Sequence, residues 1–159
     1  MSAGSVPVHV RPGEGDTIRN PVNGAFTYKL RGEQSGGGLL VLETEVPPGG
    51  GPPLHVHANE DEGLYTLAGD VRFRLGDDVR PAPPGTFMFV PRGVPHCFTN
   101  AGEDAARVLI FFTPAGMERF FDGFAALAPA EMTPEAFRRL GAEVGMQVAG
   151  PPLAVSHPA

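Results

Sequence analysis

A single cysteine, Cys97, stands in the 159-residue chain, so no intrachain disulfide can form and no thiolate cluster can hold zinc. Any bound metal must rest on histidine and carboxylate side chains. Basic residues are also scarce: 12 Lys and Arg face 18 Asp and Glu, the formal net charge is -6, and the longest basic run is the pair Arg138-Arg139. Such a surface repels phosphate backbones, which argues against nucleic acid as a partner. No stretch approaches the roughly 18 apolar residues that a membrane span needs, and the opening MSAGSVPVHVRPGEGD lacks the basic and apolar parts of a secretory leader. We therefore expect no membrane association and a cytoplasmic location.

What is abundant is turn chemistry. The chain carries 22 glycines and 18 prolines, yet 42% of its residues are hydrophobic, and the Gly and Pro punctuate short apolar runs. That pattern suits many short strands joined by tight turns, and the length suits one domain. Residues 1–24 are polar and Gly-rich and are expected to form a loose arm with at most one short edge strand. Strands are expected over residues 26–30, 39–46, 54–56, 63–68, 71–75, 86–90, 97–99 and 107–112, with hairpins at Gly69-Asp70 and Gly76-Asp77. Many short strands at this spacing indicate a sandwich or barrel, here over residues 25–114.

Beyond Thr113-Pro114 the period becomes helical. Met117, Phe120, Phe121, Phe124 and Leu127 share one face, and Thr133 caps a second helix with Pro134 in its first turn, ending at Gly145. Residues 115–147 should thus form helices whose aromatic stripe packs on the barrel, and residues 148–159 should be a tail.

The chemistry concentrates in two segments. His55 and His57 are two apart on a strand, so both imidazoles enter the same side, and a short turn brings Glu62 beside them from the next strand of one hairpin. His96, after VPRGVPH, is a fourth ligand. Three imidazoles and a carboxylate suit one divalent transition metal ion: Fe, Mn, Ni, Co, Cu or Zn. Glu60 and Asp61 compete with Glu62 for the carboxylate role, because the turn length is uncertain by one residue. His9 and His157 read as surface residues, and Cys97, next to His96, as a buried structural thiol on the opposite face.

These residues resemble the two cupin motifs. Gly49, His55, His57, Glu62 and Gly69 match G-x5-H-x-H-x4-E-x6-G, and Gly85, Pro91, Gly93, His96 and Asn100 match G-x5-P-x-G-x2-H-x3-N. The match favours Glu62 over Glu60 and Asp61, which then read as solvated turn residues. The resemblance implies an all-β fold, a single jelly-roll (double-stranded β-helix) barrel with a short C-terminal helical extension. Cupins often pair through barrel faces, so a homodimer is expected.

Strand alternation places Leu64, Thr66, Met88, Val90 and Phe98 around the site as a mostly apolar substrate pocket, while Arg72 and Arg74 point outward. Such a lining fits a small, largely apolar organic substrate. PPLHVHANEDEGLYTLAGDVRF and FVPRGVPHCFTN are similar to the bacterial single-domain quercetin dioxygenase-like cupins. That likeness implies ring-opening of a flavonol or similar enolisable compound by O2, with His55, His57 and His96 holding the metal. Glu62 would both ligate the ion and take the substrate's hydroxyl proton. The alternatives are a non-redox metal-dependent lyase, isomerase or cyclase, and a small-molecule-binding cupin without catalysis.

Overall fold

The computed structural model describes residues 4–20 and 24–158; of the expected arm, residues 1–3 and 21–23 lie outside the described residues, as does Ala159 of the expected tail. In chain order the strands are β1 (Asp16–Asn20), β2 (Gly24–Leu30), β3 (Leu40–Val46), β4 (Pro53–His57), β5 (Asp61–Ala68), β6 (Val71–Leu75), β7 (Asp78–Ala82), β8 (Phe87–Val90), β9 (His96–Asn100) and β10 (Ala106–Thr113). The helices α1 (Glu118–Ala125) and α2 (Pro134–Glu143) follow, then strand β11 (Met146–Pro152) and a final turn of helix, α3 (Leu153–Ser156).

Two antiparallel sheets make the jelly roll, ordered β1-β2-β3-β10-β5-β8 and β11-β4-β9-β6-β7. Period-two patterning drives their packing. In β3, Leu40, Leu42, Thr44 and Val46 are buried, and in β10 so are Ala106, Val108, Ile110 and Phe112, with the intervening residues turned outward. The turn at Gly76 joins β6 to β7 as a hairpin. The turn at Gly69-Asp70, expected as a hairpin, instead carries the chain from one sheet to the other. There Gly69 sits at φ +92, where an added Cβ would lie 2.5 Å from the Cβ of Ala106. Only glycine lets the corner close that tightly.

Two strands escape the sequence pattern. β7 carries Pro81 and β11 carries Gly150, Pro151 and Pro152, which read as loop; both strands lie at sheet edges, where a missing N–H donor costs little. The expected tail is thereby corrected. β11 pairs with β4, Met146 opposite His57 and Val148 opposite His55, and Leu153 is fully buried against Leu54 and Cys97.

The helices behave as their periodicity indicates. Thr133 Oγ1 accepts the N–H of Ala136 at 3.2 Å and caps α2, and Gly145 ends it at φ +79. α1 is tied to the first sheet through Asp122, which accepts from Tyr28 Oη at 2.8 Å and from Arg31 Nη1 at 2.9 Å. Phe120 stacks on Phe124, and Phe137 meets both edge-on, so α1 and α2 share one aromatic seam. No helix among the described residues is long and apolar enough to cross a membrane.

Candidate metal centre

β4 and β9 lie side by side in the second sheet with His55 directly opposite His96. Alternation then turns His57 to the same face as His55. Glu62 arrives from the other sheet: the turn at residues 58–60 crosses between layers, so the three neighbouring ligands do not share a hairpin as the sequence suggested. All four side chains are buried, and one ligand atom from each falls within 4.8 Å of all the others. The ring centroids of His55 and His96 are 4.4 Å apart, and those of His55 and His57 4.9 Å.

Hydrogen bonds aim the rings. His55 Nδ1 donates to the Pro53 carbonyl at 2.8 Å and His96 Nδ1 to the Val94 carbonyl at 2.9 Å, which leaves each Nε2 pointing inward. His96 Nε2 stands 2.6 Å from Glu62 Oε2, and His57 Nε2 lies 3.2 Å from the same oxygen. Burial alone would raise the Glu62 carboxyl, but the charge on His96 and the two imidazoles against it hold it well below the usual carboxylate range. Burial opposes charge on His96 as well; the Glu62 carboxylate and its hydrogen bond outweigh that and raise it. His55 is pushed down to about 3, first by burial and then by the neighbouring His96 and His57, so it stays neutral. A neutral His55 imidazole, an ionised Glu62 carboxylate and inward-turned Nε2 atoms are the donor set a mid-row divalent ion takes. His57 Nε2, buried without a hydrogen bond, is the kind of orphaned donor atom a metal ion would satisfy.

Glu60 departs from the expectation of a solvated turn residue. It is 4% exposed, its Oε2 has no hydrogen-bond partner, and that oxygen lies 4.0 Å from His57 Nδ1. Burial raises its carboxyl, against the pull of His57. The period-two rule does not extend through a turn, so nothing local marked this side chain as buried. Asp61 also departs from a solvated turn residue: it opens β5, half-buried, and receives Arg92 Nε at 3.0 Å and Nη2 at 3.1 Å, pinning the strand's start to the second motif's loop. His9 and His157 are exposed. Cys97 is buried beside Leu54 and Leu153, where burial pushes its thiol up to about 11.

A cavity of about 750 Å³ opens over His55, His57 and Glu62, while His96 does not line it. Its walls are aromatic, built by Phe98, Phe112, Phe120, Phe121, Phe124 and Phe137, and Arg138 is its one cationic residue among the described residues. Of the expected pocket residues only Phe98 lines it. Leu64, Thr66 and Val90 are fully buried and Met88 packs against the core, all on β5 and β8, whereas the cavity lies toward β2, β3, β10 and β11 beneath the helices. Alternation identified the inward face correctly; it carries no information on which flank of that face stays empty. The stripe on α1 and α2 both packs on itself and closes this flank.

Comparison with known proteins agrees with this architecture. Residues 42–112 match the Cupin domain family. An uncharacterised protein of Streptomyces coelicolor is 30% identical over 92 residues, 58% of this chain and 82% of that one. A germin-like protein of rice is 30% identical over 122 residues, but the match spans only 57% of its length and 71% of this chain. The crystal structure of a predicted oxalate decarboxylase from Thermotoga maritima superposes with a TM-score of 0.61 at 25% identity, covering 67% of this chain and 98% of that one. Strand order and these matches together lead to one conclusion: the chain has a cupin jelly-roll fold, with a Cupin domain over residues 42–112.

Proposed function

We propose that this cupin is a metal-dependent dioxygenase of the quercetinase kind, acting on a flavonol or a similar enolisable aromatic compound with O2. The observation that carries the reading is the aromatic cavity directly above the three-histidine, one-glutamate cluster. A volume of about 750 Å³ is within the ordinary range for small-molecule sites. Its phenylalanine walls exclude water and offer ring faces to a flat substrate. They fit a small dicarboxylate poorly, because such an anion would need cations beside the metal and the wall offers only Arg138, exposed at the rim.

A divalent ion held by His55, His57, Glu62 and His96 would supply Lewis acidity and, if redox-active, a route for electrons to O2. The remaining work belongs to side chains. Phe112 and Phe98 orient the ring system over the ligands. Glu62 Oε2, between two imidazoles, is placed to accept the substrate's hydroxyl proton, and its burial favours the protonated carboxyl against the pull of those imidazoles. The reading includes pairing of two chains, supported by the exposed Tyr65, Phe87 and Phe89 on the outer sheet face.

The test begins with elemental analysis, followed by oxygen-electrode traces of protein loaded with each candidate ion against a flavonol and a 1,3-diketone. Oxygen uptake with ring-opened product is expected, and Glu62→Gln should lose turnover more severely than metal. Product without oxygen uptake would convert the proposal to a non-redox lyase, isomerase or cyclase. Tight ligand binding without turnover under any metal would leave a binding module.

A further inference from the structure

Each ligand histidine needs a partner for the ring nitrogen that does not face the ion, because that partner sets the tautomer and the ring's aim. Two of the three are served by the carbonyl two residues upstream: Pro53 for His55 at 2.8 Å and Val94 for His96 at 2.9 Å. His57 breaks the pattern. Its Nδ1 is buried with no hydrogen bond, and among the described residues the acid placed to take it is Glu60, whose Oε2 is likewise buried, unpartnered and 4.0 Å away. Two orphaned, complementary polar atoms facing each other in a buried site are rare, since each carries a desolvation cost with nothing to offset it.

We infer that Glu60 is a positioning residue of the metal centre: it accepts the Nδ1–H of His57 and so locks the His57 Nε2 lone pair toward the ion. This rests on the metal-binding reading of the cluster. An adjustment of about 1 Å brings the pair to the separation of a charge-assisted N–H···O bond. Glu60 Oε1 occupies the space that Gly116 leaves open: a Cβ on that residue would lie 3.2 Å from it. On the other side, the Phe112 ring packs edge-on against His57 with centroids 5.3 Å apart and limits the imidazole's rotation. Carboxylate and aromatic ring thus hold one imidazole between them. Neither cupin motif matched above has a fixed residue at position 60, so the role comes from the fold and not from the motif.

The test uses zinc, which leaves the protein diamagnetic. Zinc affinity is measured by chelator competition for the wild type, Glu60→Gln and Glu60→Leu, and the histidine ring protons are followed by nitrogen-resolved NMR. Glu60→Leu should bind zinc about 10- to 100-fold more weakly. Glu60→Gln, which keeps an acceptor oxygen, should recover most of that loss. In the zinc-loaded wild type the His57 Nδ1–H signal should lie downfield and exchange slowly; it should move upfield in Glu60→Gln and vanish into solvent exchange in Glu60→Leu. The His55 and His96 ring protons should stay in place, which a general loosening of the fold would not allow. Should Glu60→Leu fail to fold, the wild-type and Glu60→Gln spectra decide. Unchanged zinc affinity in Glu60→Leu, or one His57 signal common to wild type and Glu60→Gln, overturns the role of Glu60. A wild type that takes up no zinc or other divalent ion would instead refute the metal reading beneath it.

Discussion

Leu153→Ala is the substitution that most sharply separates a tail from a structural element. Leu153 is 0% exposed and packs with Leu54, the residue before His55, and with Cys97, the residue after His96. Truncation to alanine removes three buried carbons, worth about 0.8 kcal/mol each in transfer free energy, or roughly 2.5 kcal/mol. The hole left behind adds to this, because neighbours in a two-strand seam relax only in part, and leucine-to-alanine changes at such sites reach about 5 kcal/mol. A chain of this size loses about 2–4 °C of Tm per kcal/mol, so a fall of roughly 5–20 °C is expected. Urea titration followed by circular dichroism, with the m-value checked for constancy, measures it directly. The same variant should bind metal more weakly, since Leu153 backs the two strands that carry His55 and His96. A loss below about 0.5 kcal/mol, the range of exposed positions, would refute the packing of this segment.

Asn100→Ala should cost about 3 kcal/mol, at roughly 1 kcal/mol per hydrogen bond. Its Nδ2 donates to Val46 O at 2.9 Å and Asp104 O at 2.7 Å, and its Oδ1 accepts from Gly102 N at 2.9 Å; thermal melts of the variant check this. Cys97 should resist a thiol reagent at pH 8 in the native protein and react at once in denaturant. Its thiol is pushed up to about 11, so the reactive thiolate is scarce well below that pH, and the group is buried; fast native labelling would contradict both. Thr133→Ala should lower stability by about 1 kcal/mol through the lost cap on α2, read from the same melts, while Thr133→Ser restores it.

The residues whose roles were legible in the chain are those governed by short-range rules. His55 and His57 share a face because strands have period two, Thr133 and Pro134 start a helix because of capping chemistry, and Gly145 ends it because it tolerates positive φ. The four candidate ligands were legible because each sits at a fixed offset within a motif, and the structure brings all four together as a group that could hold an ion. β7 and β11 were hidden because proline and glycine suppress the strand signal, although at sheet edges they do not suppress the strand.

The sequence by itself therefore determined most of the barrel strands, the helical extension and which four side chains could hold a metal ion, since each follows from backbone periodicity or side-chain donor type within a few residues. Only the tertiary structure decided that β11 backs the histidine strand, that Glu60 is buried against His57, and that the cavity lies under the helices and not beside Leu64, Thr66, Met88 and Val90. Those facts depend on which sheet a turn crosses to and which flank a helix covers. Both are set by burial among residues far apart in the chain, where no local pattern carries the information.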